Sequence, residues 1–137
     1  MLSTKNLEKH VKNEINSRLA DVTYGNVFFK KGTASSVEGT YIFTKNKEYH
    51  ILYTEKGEVR SDIVTCDERE VLWHALIIIS IRITSQYAKH NREPRKDFRR
   101  ALFKKEIEIF ALFGEDFKKR KTEEIEEILK YYPYVDI

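Results

Sequence analysis

Gly39-Thr40-Tyr41-Ile42-Phe43-Thr44-Lys45-Asn46-Lys47-Glu48-Tyr49-His50-Ile51-Leu52-Tyr53-Thr54-Glu55-Lys56-Gly57-Glu58-Val59-Arg60-Ser61-Asp62-Ile63-Val64 decides the fold. Three runs rich in aromatic and β-branched residues (Gly39–Lys45, Glu48–Thr54 and Glu58–Val64) read as strands. Asn46-Lys47 and Lys56-Gly57 stand where two-residue hairpin turns belong. Two such turns imply a register in which Lys45 opposes Glu48, Phe43 opposes His50 and Tyr41 opposes Leu52. On the third strand Val59 then opposes Thr54, and Ile63 opposes His50. Tyr41, Phe43, Leu52, Val59 and Ile63 would share the face that packs on the helices. The other face would carry Ile42, Tyr49, Ile51, Tyr53, Arg60 and Asp62, aromatics mixed with charges, the composition of an interaction surface. A slip of one residue would exchange the two faces.

Helical patterns flank this β-rich third. Leu7, Val11, Ile15 and Leu19 recur every four residues, and Ser3 or Thr4 can cap the helix they mark. A short strand over 27–31 is expected after Gly25. Downstream, Thr65-Cys66-Asp67-Glu68 has the form of a capping box. The helix it opens carries Val71, Leu72, Leu76, Ile79, Ile83 and Tyr87 on one stripe. Ile77, Ile78 and Ile81 extend the apolar surface, so this helix should be central and nearly buried. Asn91 and Pro94 end it. A third helix should start near Arg95 to Asp97 and stop at Gly114. A last one, broken near Thr122, must end before Pro133. The expected architecture is α+β: an N-terminal helix, a small antiparallel meander of three to four strands, then three C-terminal helices packed on one face.

The chain has 137 residues, 41% of them hydrophobic and 12% aromatic, which suits one folded domain over residues 1–137. Five Gly and two Pro leave little room for linkers. Residues 1–25 lack the apolar core of a signal peptide, and the apolar run from Ala75 to Ile81 stops at Arg82, too short to cross a bilayer. A cytoplasmic protein is expected. Net charge is +3, unevenly spread. Arg92, Arg95, Lys96, Arg99, Arg100, Lys104 and Lys105 crowd one stretch, and Lys118 to Lys121 form a basic run. Beyond Thr122 the balance turns acidic.

Chemistry-bearing clusters are sparse. His10, His50, His74, His90 and Cys66 are the soft ligands, and none shows metal-ligand spacing, so neither metal nor cofactor is expected. Cys66 with a histidine would make a nucleophile pair only if the fold joined them. Glu123-Glu124 and Glu126-Glu127 form a solvated run, unsuited to general acid–base work. Lys31-Gly32-Thr33 lacks the upstream glycine of a phosphate loop. The Arg92–Lys105 stretch, with Phe98 and Phe103 interleaved, offers an alternative reading as a nucleic-acid-binding regulator. Phe98, Leu102 and Phe103 sit at core spacing, however, which removes them as stacking platforms. One of Arg99 and Arg100 can instead hold Asp97, Glu68 or Asp62 in an internal ion pair.

The order of pieces carries a resemblance. Tyr41-Ile42-Phe43, Tyr49 through Gly57, Thr65-Cys66-Asp67-Glu68, the Trp73 helix, Asp97-Phe98-Arg99-Arg100-Ala101-Leu102-Phe103, and Glu126 to Lys130 with Tyr132-Pro133-Tyr134 follow one another. Over about residues 38–136 this resembles the immunity protein 63 family of bacterial polymorphic toxin systems, contact-dependent or other. The resemblance implies a non-enzymatic protein that binds and neutralises a cognate toxin encoded by a neighbouring gene. Contact residues would come from Tyr49, Tyr53, Arg60 and Asp62, or from the basic edge of Arg95, Arg99 and Arg100. The net positive charge favours a toxin with an acidic or mixed contact surface, and a homodimer is compatible with the sequence.

Overall fold

The structure, a computed structural model, describes all 137 residues. In chain order it contains α1 (Thr4–Asn16), β1 (Val27–Phe28), β2 (Gly39–Lys45), β3 (Glu48–Glu55), β4 (Glu58–Thr65), α2 (Glu68–His90), α3 (Phe98–Ala111) and α4 (Glu115–Tyr131). The architecture is α+β: an N-terminal helix, a four-stranded mixed sheet in the order β1-β2-β3-β4, and three C-terminal helices. Two compact units divide it, Met1–Ile79 and Ser80–Ile137, and α2 runs through the boundary.

In the first unit, Ser3 caps α1 by accepting from the Asn6 amide at 3.2 Å, and the helix buries Leu7, Val11 and Ile15. It ends at Asn16, so the expected fourth member of the stripe, Leu19, lies outside it. β1 is two residues long, shorter than the expected 27–31, and pairs with β2 in parallel rather than completing an antiparallel meander. The loop after it must pass under Tyr41. A Cβ on Gly32 would meet Tyr41 Cγ at 2.4 Å, and the Tyr41 hydroxyl donates to the Val37 carbonyl at 2.6 Å.

Both hairpin turns form as expected. Asn46, Lys47, Lys56 and Gly57 all have positive φ, the backbone of a type I′ turn. The β2–β3 register is the expected one, Lys45 with Glu48, Phe43 with His50 and Tyr41 with Leu52. On β4, Val59 opposes Thr54 as expected, but Ile63 opposes Ile51 and Val64 takes the place beside His50. The cause is a register shift between Tyr53 and Thr54: Ser61 pairs with Tyr53, leaving Arg60 as an extra residue. Every β4 side chain beyond it changes face.

The packing of the faces also departs from expectation. Tyr41, Phe43 and Leu52 form a cluster against which Phe28 packs, so the chain around β1 covers that face. The Thr44 and Tyr49 side meets the N-terminus instead. The Thr44 amide donates to Thr4 Oγ1 at 3.0 Å, its hydroxyl to the Leu2 carbonyl at 2.8 Å, and the Leu2 amide to the Tyr49 hydroxyl at 2.9 Å.

Asp67, not Thr65, caps α2: its carboxylate accepts from the Arg69 amide at 2.9 Å, while Thr65 Oγ1 accepts from the Asp67 amide at 3.1 Å. Glu68 is freed from a capping box to hydrogen-bond Tyr49. The amino-terminal half of α2 buries Val71, Leu72, Trp73, Ala75, Leu76 and Ile79. The other half is not the buried helix expected. It buries the small Ser80, Thr84 and Ala88, Ile83 and Tyr87 are half-buried, and Ile81 is 56% exposed. Over its 23 residues α2 is long and apolar enough by composition to cross a membrane, although Ala75–Ile81 alone is not; half of its most apolar window is buried within the protein.

In the second unit, Asp97 caps α3, accepting from the Arg99 amide at 2.9 Å. Gly114 precedes α4, which runs unbroken through Thr122, whose hydroxyl donates back to the Lys118 carbonyl at 2.8 Å. α4 ends at Tyr131, before Pro133. Lys121, one of the four basic residues 118–121, is buried. Its ammonium lies 4.4 Å from the Phe110 ring centroid and donates to Glu124 at 3.0 Å. Nearby Glu106 has its carboxyl pushed up by burial, with Lys121 opposing the shift.

Candidate protein-binding site

The residues proposed for contact fall into two groups, one in each unit. In the first, the chain from Glu48 to Thr65 makes a twisted hairpin whose inner strand is partly buried and whose outer strand is open. β4 is exposed at seven of its eight residues. Its apolar side chains are included: Val59 is 43%, Ile63 36% and Val64 46% exposed.

Tyr53 stands at this surface, 36% exposed, and its hydroxyl donates to Glu55 Oε2 at 2.7 Å. That bond, followed by desolvation, holds the phenol above its ordinary pKa. Arg60 is exposed and pairs with Glu58 at 3.1 Å. Asp62 is exposed, and the His50 Nδ1–H donates to its Oδ1 at 3.0 Å. The His50 ring stacks on Phe43 with centroids 4.9 Å apart. Because of the register shift, Asp62 shares the face of Leu52 and His50 rather than that of Tyr53, and Ile63 takes the Tyr49–Ile51–Tyr53 side.

Tyr49 does not belong to the surface. Its side chain is 0% exposed, with the hydroxyl held between Leu2 and Glu68. Burial pushes its phenol pKa up. An aromatic on a strand beside Ile51 and Tyr53 gave no sign of this, because the elements that cover it lie at residues 2 and 68.

In the second unit the basic edge is largely committed to the chain's own end. Arg99 donates to the carbonyls of Tyr132 and Pro133, each at 2.8 Å, and to Asp97 Oδ2 at 2.9 Å. Asp97 Oδ2 also accepts from the Val135 amide at 2.8 Å. The Arg99 guanidinium, then the Val135 and Arg99 amides, hold its carboxyl well below the usual carboxylate range. Arg100 grips Asp136 through Nε and Nη2 at 3.0 and 2.8 Å and lies 4.2 Å from the Tyr134 ring centroid. The Asp97 amide donates to Asp136 as well, at 2.7 Å. Arg95, at φ +66, closes the clasp by accepting from the Ile137 amide at 2.8 Å while its side chain stays exposed.

The internal ion pair expected for Asp97 is therefore made by Arg99, whereas Asp62 pairs with His50 and Glu68 with Tyr49. Phe103 is buried and Phe98 half-buried, so neither is free to stack on a base. Arg92, Lys96, Arg100 and Lys104 line a shallow pocket of about 160 Å³ beside Tyr87. Cys66 is exposed, its Sγ 3.8 Å from the Lys47 carbonyl oxygen. No group of three or more His, Cys, Asp or Glu side chains is assembled for a metal ion.

The model of the family described as Immunity protein 63 matches residues 45–127. This span takes in β3, β4, α2, α3 and most of α4. It includes Asp97-Phe98-Arg99-Arg100 but leaves Tyr41-Ile42-Phe43 and Pro133-Tyr134 outside, a narrower match than residues 38–136. No curated protein and no solved structure matches the chain.

Proposed function

The chain belongs to the Immunity protein 63 family, and from that premise we propose that it binds a cognate toxin by direct protein–protein contact and so neutralises it. It would act in the cytoplasm of the producing cell, as one immunity domain over residues 1–137, with no catalytic step of its own. The partner is a toxin domain encoded by a neighbouring gene of a polymorphic system. The observation that supports this reading is strand β4, exposed over seven of eight residues with Val59, Ile63 and Val64 among them. Open apolar side chains beside Tyr53 and Arg60 combine the anchor types that dominate binding energy with a polar surround.

Occupation of the toxin surface needs no perturbed acid–base pair in a cleft. The two carboxyls shifted down, those of Asp97 and Asp136, both serve the C-terminal clasp. The test is co-expression with the toxin-like reading frame next to this gene. Cells should survive induction of the toxin only when this protein is present. Continued killing despite soluble expression would sink the reading.

A further inference from the structure

We propose that the outer edge of β4 is the docking element, and that it receives an extended segment of the toxin as a fifth strand; this rests on the toxin-binding reading above. In a two-residue hairpin the flanking pair exchanges both backbone hydrogen bonds, so Lys45 and Glu48 are such a pair. Alternation along β3 then turns the backbone groups of Tyr49, Ile51 and Tyr53 toward β4. Their partners Thr65, Ile63 and Ser61 face inward. The backbone N–H and C=O groups of Asp62 and Val64 consequently point away from the sheet.

β4 has β3 as its sole neighbour in the sheet, and no loop or terminus hydrogen-bonds these outward groups. The opposite edge is the two-residue β1, so β4 is the long open edge. The register shift at Arg60 bends the first part of β4 and leaves Ser61–Thr65 regularly paired. A row of backbone donors and acceptors of this kind is matched by another extended backbone.

The side chains define which extended segment fits. Ile42, Ile51 and Ile63 form one cross-strand row, 0%, 4% and 36% exposed, that runs from the interior to the open edge. An apolar residue placed opposite Ile63 would continue it. On the other face Val64 calls for a second apolar residue. Across β3 and β4, Glu48, Glu55, Glu58 and Asp62 outnumber Lys56 and Arg60, a local net charge of −2 in a chain of net +3. Two copies meeting through this edge would bring like charge together. A foreign strand bearing Lys or Arg beside its apolar pair would be attracted. The local balance thus selects a basic segment, opposite to what the whole-chain charge suggested.

Proline at position 64 removes an outward donor without removing a β3–β4 bond, since the Val64 N–H faces away from β3. Ile63→Lys is the second variant and blunts the edge with a charge, leaving the backbone unaltered. Affinity for the neighbouring toxin, inactivated in its own active site, would be measured by calorimetry alongside circular dichroism and sedimentation. The wild type should bind as a monomer, and each folded variant should bind at least tenfold more weakly. Wild-type affinity in Ile63→Lys, or in a folded Val64→Pro, overturns the edge proposal and leaves the toxin-binding reading standing. A wild-type dimer that Ile63→Lys converts to monomers assigns the edge to a second copy and overturns it too. No binding by the wild type overturns both readings.

Discussion

Replacement of Tyr49 by Phe separates a buried support from a contact residue. The ring stays and the hydroxyl goes, taking two hydrogen bonds: one from the Leu2 amide at 2.9 Å and one to the Glu68 carboxylate. A neutral hydrogen bond contributes about 1 kcal/mol net, and one to a charged group about 1.5–3 kcal/mol. Leu2 and Glu68 are only half-buried, so water takes up part of what the hydroxyl leaves. The expected loss is therefore about 1–2.5 kcal/mol. At about 3–5 °C per kcal/mol for a chain of this size, Tm should fall by about 3–12 °C. Trp73 is the single tryptophan and is buried in the same unit, so its fluorescence during urea or thermal unfolding reports the relevant transition. Toxin affinity of the folded variant should stay within about twofold, because a side chain with no exposed surface touches no partner. An unchanged Tm together with a tenfold loss of affinity would refute the assignment of Tyr49 to the interior.

Two further outcomes follow from the packing. Asp136 has its pKa lowered from 3.8 to about 2, by Arg100 first and by the Asp97 amide second. Its contribution is therefore present above pH 3.8 and lost as pH falls through about 2. Amide signals of residues 134–137 should show the tail releasing across that window, and Asp136→Asn should loosen it at pH 7; a tail equally ordered at both pH values would contradict the clasp. Gly32→Ala places a methyl 2.4 Å from Tyr41 Cγ, and the ring is tethered through its hydroxyl to Val37. The cost should be about 1–3 kcal/mol in a urea titration, and a midpoint equal to the wild type would show that the Tyr41 cluster yields freely.

Local rules made much of the fold legible. Asn46-Lys47 and Lys56-Gly57 turn where two-residue loops were expected because each pair holds one residue, Asn46 or Gly57, that readily takes positive φ, and the lysine beside it follows at φ 61 and 52. Asp97, Gly114 and Pro133 punctuate the last two helices for equally local reasons. What escaped reading depends on contacts distant in sequence. Tyr49 is buried by residues 47 positions before it and 19 after it. Lys121 hid inside a basic run that reads as solvated, yet a signal was present: it lies midway between Phe117 and Ile125, four residues from each, on the buried stripe of α4. Periodicity deserved more weight there than charge, since a lysine stem can lie in an apolar layer while its ammonium finds Phe110 and Glu124.

The extra residue at Arg60 shows why the candidate site was harder to read than the scaffold. A two-residue turn at Lys56-Gly57 sets the pairing of Val59 with Thr54 correctly, and strict alternation from there would place Ile63 beside His50. One unpaired residue reverses everything beyond it, because side-chain direction has a period of two. Nothing in Val59-Arg60-Ser61 marks that residue: it contains no glycine or proline, and its composition suits a regular edge strand. The reversal has two physical effects. It sets Asp62 within 3.0 Å of His50, so the carboxylate is held on the Phe43 side of the sheet. It also aligns Ile63 with Ile51 and Ile42, carrying an apolar row out to the open edge. Without the shift Asp62 would sit beside Ile51, and the edge would present a charge where it now presents a β-branched side chain. The feature that defeated the register argument is thus the one that makes β4 suited to receive another strand.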